Sequence, residues 1–232
     1  MNVCIIPARG GSKRIPKKNI RDFCGKPMIA HSIEAAKSAG VFDRIMVTTD
    51  SAEVADVAKQ CGAEIPFMRP PEISDDHAPT DTVVVHALNW FKRNGIQLEY
   101  ACCLYATAPF VRPEYLCQGL ELLKLTGATT SISVTTFPFS IFRGLKINQK
   151  GALEMFWPEH RMTRSQDLPE ACHDAGQFYW MNVAKYMQAP ALYAPDAVPV
   201  ILPRYLVQDI DTPEDWARAE IMFRTLEKQN HV

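Results

Sequence analysis

The sequence predicts an α/β protein in which helices cover both faces of a mostly parallel sheet. Three observations carry that expectation. Apolar strand-like runs alternate with amphipathic helix-like runs, glycines close the helical patterns, and 232 residues suffice for one substantial domain but not for two comfortable ones.

Residues 3–6 read as a first strand. The stretch "KPMIAHSIEAAKSAG" reads as a helix, with Pro27 suited to its first turn and Gly40 to its stop. "DRIMVTTD" is a second strand and "SAEVADVAKQCG" a second helix ending at Gly62. A short strand over residues 64–67 leads into the proline- and acid-rich loop "RPPEISDDHAPT". "TDTVVVHALNWFKRNG" suits a helix, although its valines also allow a strand. "YACCLYA" then gives a strand, "RPEYLCQGLELLKLTG" a helix and "ATTSISVTT" another strand. From residue 137 to residue 172 the pattern breaks into scattered Pro, Phe and Trp, as expected of an inserted arm or lid within one domain spanning residues 1–232. Regularity returns with "GQFYWMNV" and "AVPVILP". The last helix follows "DIDTPEDW", where Thr212 and Asp215 have capping-box spacing around Pro213.

Composition excludes several classes. The 25 basic and 26 acidic residues give a net charge of −1, which argues against nucleic-acid binding through overall charge. No run approaches the roughly 18 apolar residues that span a membrane, and no secretory leader is visible, so a cytoplasmic protein is expected. The seven cysteines are scattered without zinc spacing, as expected of buried free thiols in a reducing compartment. The histidines, among them His77 and His160, are assigned no chemistry.

Charge is nevertheless concentrated. Between Arg9 and Arg21 stand six cations (Arg9, Lys13, Arg14, Lys17, Lys18, Arg21) and no acid. This "ARGGSKRIPKKN" loop follows the first strand, at the edge where parallel α/β sheets collect ligands. Glycines let backbone N–H groups turn toward an anion while Arg and Lys neutralise it, so the loop points to polyphosphate. It has neither Walker A spacing nor the three glycines of a dinucleotide fingerprint. A solvated basic turn is the plainer alternative.

Near the other end, "VQDIDTPED" carries Asp209 and Asp211 at i, i+2, a spacing that turns both carboxylates to one side of an extended segment. Two hard oxygen donors suit Mg²⁺, which completes its shell with phosphate and water. Acids that simply favour a helix dipole are the alternative. The rival pair Asp75 and Asp76 is adjacent, so its side chains would point apart.

"IPARGGSKRIPKKN" resembles the N-terminal signature of the CMP-sugar synthetases, cytidylyltransferases that activate sialic acids and related 2-keto sugar acids. Lys18-Asn19-Ile20 stands where the octulosonate branch tends to continue through Pro-Leu. The resemblance implies a nucleotide-diphospho-sugar transferase-like fold, CTP as substrate, Mg²⁺ as cofactor and a homodimer whose arm reaches the partner's site. It implies that Arg9 and Lys13 hold the triphosphate and that the nucleotide site runs through Ala8, Gly10, Gly11, Ser12, Lys18 and Asn19. Asp209 and Asp211 match the family's metal motif, D-x-D before threonine, with Asp211 central to catalysis.

"RPPEISDDHAPTDT" is similar to the family's loop over the cytidine. It implies that Arg69 touches base or ribose and that Thr80 supplies a hydroxyl, although Thr80 could equally cap a helix. In "LYATAPFVRP", Thr107 matches the family, whereas Tyr105 replaces the glutamine of its L-Q-P-T-S-P motif, which argues against plain N-acetylneuraminate. "TRSQDL" and "DAGQFYW" look like the branch acting on pseudaminic acid, a nine-carbon 2-keto acid with two acylamino groups. That implies Arg164, Gln177 and Phe178 near the sugar; core packing and a salt bridge within the arm are the alternatives for Phe178 and Arg164. The expected reaction is attack of the anomeric hydroxyl on the α-phosphate with loss of pyrophosphate. Activation of legionaminate or neuraminate, or a catalytically silent nucleotide-binding protein, are the competing readings.

Overall fold

The computed structural model of the chain describes residues 1–75 and 78–230, so Asp76 and His77 lie outside the described residues. In chain order its helices and strands are β1 (Asn2–Pro7), β2 (Asp22–Phe23), β3 (Lys26–Pro27), α1 (Met28–Ala39), β4 (Arg44–Thr48), α2 (Ala52–Gln60), α3 (Thr80–Arg93) and β5 (Tyr100–Leu104). There follow α4 (Pro113–Thr126), β6 (Thr130–Thr136), β7 (Leu145–Ile147), β8 (Leu153–Met155), β9 (Cys172–Asn182), α5 (Val183–Tyr186), β10 (Val198–Ile201) and α6 (Pro213–Asn230).

The main sheet has the order β10-β6-β9-β5-β1-β4. β1 runs parallel to β4 and β5, and β10 runs parallel to β6. β9 is antiparallel to both neighbours. The cause is the connection: β6 leads into the segment 137–171 and returns without a crossover helix, so the chain re-enters the sheet in the opposite direction. The amino end of β9 therefore lies beside the carboxyl end of β5, on the edge where ligands collect.

Both faces of the sheet are covered. Cys4 and Ile6 of β1 pack with α1, α2 and α4, whereas Val3 and Ile5 pack with α3. All four are fully buried, which is why the strand reads as a continuous apolar run rather than an alternating one. A third cluster joins Ile15, Phe23, Met28 and Phe110 to Leu206, Ile210, Trp216 and Ala219, seating α6 against the loop after β1. α1 and α4 end in glycines with positive φ, Gly40 at 65° and Gly127 at 65°. Before α6, the Thr212 and Asp215 capping box is reciprocal. Asp215 N–H donates to Thr212 Oγ1 at 3.2 Å, and Thr212 N–H donates to Asp215 Oδ2 at 2.9 Å.

Some expectations change. Residues 64–67 form only one bridge, Met46 to Glu64, because Pro66 offers no N–H to continue the ladder. The valines of residues 83–85 sit in a helix, where Val83 and Val84 face the core. Segment 137–171 is not wholly irregular. It contains the β7–β8 hairpin, whose residues stay largely exposed. Of the seven free cysteines, Cys4, Cys102 and Cys103 are buried and Cys172 is exposed.

Gly119 in α4 marks a close helix–sheet approach, since a Cβ there would lie 2.7 Å from Trp180 Cδ1 and 3.1 Å from Phe178 Cε2. Both rings are fully buried and cannot step aside. The substitution Gly119→Val is expected to destabilise the protein by about 1–3 kcal/mol through overpacking, read as a lower urea midpoint at unchanged m-value.

Candidate active site

The loop after β1 is held from several sides. Ala8 N–H donates to Thr48 O at 3.0 Å, which carries the ladder one residue past the strand. Gly10 N–H donates to Asp50 Oδ1 at 2.9 Å, and a Cβ on Gly10 would sit 2.7 Å from Ser51 Cβ, so only glycine passes over the start of α2 here. Ile15, fully buried, anchors the middle of the loop. Asn19 closes it by donating through Nδ2 to Arg9 O at 2.8 Å.

This loop forms one wall of a cavity of about 530 Å³. Arg9, Ser12, Lys13, Arg14, Lys18 and Asn19 line it from the loop, Arg69, Asp75 and Thr80 from the segment before and at the start of α3, Tyr105 and Thr107 from beyond β5, and Asp211 from just before α6. The loop after β1 and the segment before α6 thus meet, and cations connect them. Lys18 donates to Ile210 O and to Asp211 Oδ1, the latter at 3.2 Å, while Arg14 Nη2 lies 2.9 Å from Asp211 Oδ2. Of the expected nucleotide residues, Ala8 is buried, and Ala8, Gly10 and Gly11 do not line the cavity.

Arg69 is only 5 % exposed. Its Nε donates to Ser74 Oγ at 3.1 Å and its Nη2 lies 3.8 Å from Asp50 Oδ1, yet Nη2 has no hydrogen-bond partner among the described residues. Burial pushes its pKa down from the usual arginine range, and Asp50 opposes that push. A buried guanidinium with an unsatisfied donor is costly unless an acceptor arrives, so Arg69 is set to bind one. Thr80 Oγ1 and the Tyr105 hydroxyl lie 3.3 Å apart, which fixes the Tyr105 ring at the cavity floor.

A second cavity of about 670 Å³ shares Tyr105 and Thr107 with the first. His173, Asp174, Ala175 and Gly176 of β9, then Gln208, Asp209 and Arg218, complete it. The aspartate pair therefore straddles two cavities: Asp211 lines the first and Asp209 the second. Partial burial and then the Asp211 charge raise the Asp209 pKa above the usual carboxylate value, with Lys18 opposing. Two crowded carboxylates offering hard oxygen atoms fit Mg²⁺ arriving with phosphate ligands. Among the described residues no group of three or more His, Cys, Asp or Glu could hold a metal unaided.

Three expected sugar residues stand elsewhere in this chain. Arg164 is exposed on the arm, 3.5 Å from Asp167, and lines neither cavity. Gln177 is buried and spends its Nε2 on Leu206 O at 2.6 Å. Phe178 is fully buried beneath α4, since β9 lies between two strands and its ring faces the helix layer rather than the cavity edge. Conversely, Asp174 lines the second cavity and Asp50 braces the loop, although the sequence assigns neither a role by itself. Asp50 carried a signal, an acid ending the strand-like run "VTTD" at the ligand-binding edge. Asp174 carried none of its own.

A mixed α/β/α sheet with a cationic glycine loop and a carboxylate pair at its ligand edge defines a nucleotidyltransferase-like protein. The cytidylyltransferase family model matches residues 3–179, and the chain belongs to that family. It is 40 % identical over 223 residues to a pseudaminic acid cytidylyltransferase of Campylobacter jejuni, covering 96 % of each chain. It is 32 % identical to a CMP-N,N'-diacetyllegionaminic acid synthase of Legionella pneumophila, covering 94 % of each. Among solved structures it resembles a CMP:2-keto-3-deoxy-manno-octonic acid synthetase complexed with CTP. That match has a TM-score of 0.68, 18 % identity, and covers 97 % of this chain and 98 % of the other.

The raised Asp209 pKa has a consequence for stability. The folded protein holds that proton more tightly than the unfolded chain, so ionised Asp209 detracts from stability above its folded pKa, and the penalty fades as pH falls through it. The substitution Asp209→Asn is expected to raise the ligand-free melting temperature at pH 7. The gain should shrink on acidification toward pH ~4, as differential scanning calorimetry across pH would record.

Proposed function

We propose that this chain joins CTP to pseudaminic acid, giving CMP-pseudaminic acid and pyrophosphate. The observation that carries the reading is the first cavity, where the cationic loop, the buried Arg69 and Asp211 converge. The two relatives named above support the sugar class, and the Campylobacter relative favours pseudaminic over legionaminic acid.

In this reading the triphosphate lies along the loop, with Arg9 and Lys13 neutralising the phosphates and Gly10, Gly11 and Ser12 allowing close backbone approach. Lys18 and Asn19 hold the loop's shape while lining the cavity. Arg69 and Thr80 receive the nucleoside. The sugar acid occupies the second cavity, so that Tyr105 and Thr107 lie between the two substrates. The anomeric oxygen attacks the α-phosphorus in line, the bond to the bridging oxygen breaks, pyrophosphate departs, and the hydroxyl proton is lost. Such transfers ask the protein for positioning and charge neutralisation rather than covalent chemistry. Asp209 and Asp211 would hold Mg²⁺, which when bound neutralises phosphate charge.

The protein acts as a homodimer in the cytoplasm. Supporting the dimer, the arm exposes Phe139, Leu145, Ile147, Leu153, Phe156 and Met162, an apolar set that a second copy would cover. On that basis Arg164 serves the partner's sugar cavity rather than its own. Seven free thiols favour a reducing compartment.

Incubation with CTP, Mg²⁺ and each candidate acid (pseudaminic, legionaminic, N-acetylneuraminic), followed by product mass, is expected to give CMP-pseudaminic acid most efficiently. CTP binding without pyrophosphate release would establish a silent binding protein instead. Asp211→Asn should abolish turnover while leaving the circular dichroism spectrum intact, and retained activity would remove the metal assignment. The change Ile147→Lys should shift the mass in multi-angle light scattering from dimer toward monomer.

A further inference from the structure

β9 does not enter the sheet smoothly. Its register against β6 shifts between Val134, which faces Asp174, and Ile132, which faces Tyr179, so Ser133 alone stands opposite residues 175–178. Gly176, at φ 61°, takes the turn that this bulge requires, and Phe178 N–H donates to Ser133 Oγ at 3.0 Å. Bulges beside active sites re-aim side chains. Here the bulge brings Asp174 onto the wall of the second cavity.

The Asp174 carboxylate is held in a fixed pose. Gly176 N–H donates to Oδ1 at 2.8 Å, and the hydroxyls of Tyr179 and Tyr193 both donate to Oδ2 at 2.5 Å. A carboxylate offers about four acceptor sites. Tyr179 and Tyr193 occupy those of Oδ2, and Gly176 takes one on Oδ1. Oδ1 therefore keeps an acceptor for a donor that enters the cavity. Its negative charge also disfavours a substrate carboxylate at that wall, whereas Arg218 in the same cavity is a cation.

We propose that Asp174 is a specificity-determining residue: it accepts a hydrogen bond from a neutral donor on the sugar acid and turns the substrate's carboxylate end away from β9. This rests on the assignment of the sugar to the second cavity. The donor is an acylamino N–H or a hydroxyl. The second acylamino group is tested by comparing pseudaminic acid, which carries two, with N-acetylneuraminic acid, which carries one.

The test is steady-state pyrophosphate release by the full-length protein with each acid. Wild type should turn over pseudaminic acid, and failure with every acid would remove the functional reading and this inference with it. Given wild-type turnover, Asp174→Ala should raise the KM for pseudaminic acid by about tenfold or more, the loss of a hydrogen bond to a charged acceptor. The KM for CTP should stay within about twofold of wild type, and Asp174→Asn should recover part of the loss, as expected when an acceptor is restored. A fall in preference for pseudaminic over N-acetylneuraminic acid identifies the acylamino donor that only pseudaminic acid carries, and an equal loss for both identifies a donor that the two acids share. If Asp174→Ala does not fold, Asp174→Asn and Tyr193→Phe decide, each expected to raise the sugar KM alone. An unchanged sugar KM, or a rise in both KM values together, overturns the proposal while leaving the enzyme's activity standing.

Discussion

The site depends on the burial of one apolar residue inside a run of cations. Ile15 sits between Arg14 and Pro16 and is fully buried against Phe23, Leu206, Ile210 and Trp216. Burying such a side chain is worth about 1.5–3 kcal/mol, whereas exposed ion pairs contribute about 0–1 kcal/mol each. Arg14 is largely exposed and its pair with Asp211 is therefore weak as a fastener. The hydrophobic cluster brings the first loop to the last helix, and the cations then settle how Asp211 is presented. Lys18, whose side chain is mostly buried, is the intermediate case, donating both to the Ile210 carbonyl and to Asp211.

That division explains how a chain of net charge −1 can host a strongly cationic cavity. Mutual repulsion among Arg9, Lys13, Arg14 and Lys18 would splay a free loop. Packing at Ile15, the bond from Gly10 N–H to Asp50 and the bond from Asn19 to the Arg9 carbonyl hold it closed. Asp50 has a double role, since it also lies near the buried Arg69 guanidinium. One carboxylate thus sits between the cationic loop and the buried arginine. This keeps their spacing fixed before any ligand enters, which is the condition for preorganised charge stabilisation.

Much of this was legible in the sequence because the relevant signals are local. The apolar runs of β1 and β5 are buried on both faces, the glycines at positions 40 and 127 stop helices, and Thr212 with Asp215 forms the capping box that its spacing announces. The sequence leads one to expect the cationic loop and the Asp211 carboxylate to meet around one triphosphate, and the fold places them in one cavity. Non-local facts were hidden. The direction of β9 follows from how the chain returns after the arm, and nothing in "GQFYWMNV" encodes it. Gln177 and Phe178 looked like sugar contacts because their segment resembles a substrate loop. The bulge at Gly176 divides that segment, turning Asp174 to the cavity and Phe178 to the core. The Asp174 carboxylate is held by Gly176 and Tyr179 from its own segment and by Tyr193 from a different loop, and that last contact is one no window of sequence shows.

The division of the ligand edge into two cavities follows from the same geometry. Tyr105 extends from the end of β5, with its hydroxyl near Thr80 at the start of α3 and its ring 5.3 Å from that of Tyr179 in β9. Burial pushes the pKa of both phenols up, so they remain neutral donors rather than anions beside the carboxylates. A glutamine at position 105 would reach less far and could not make this ring contact with Tyr179. The phenol therefore fills space that a smaller side chain would leave to the ligand, and it joins the wall of one cavity to the wall of the other. The ring that Thr80 holds against the first cavity is thus also part of the wall of the second.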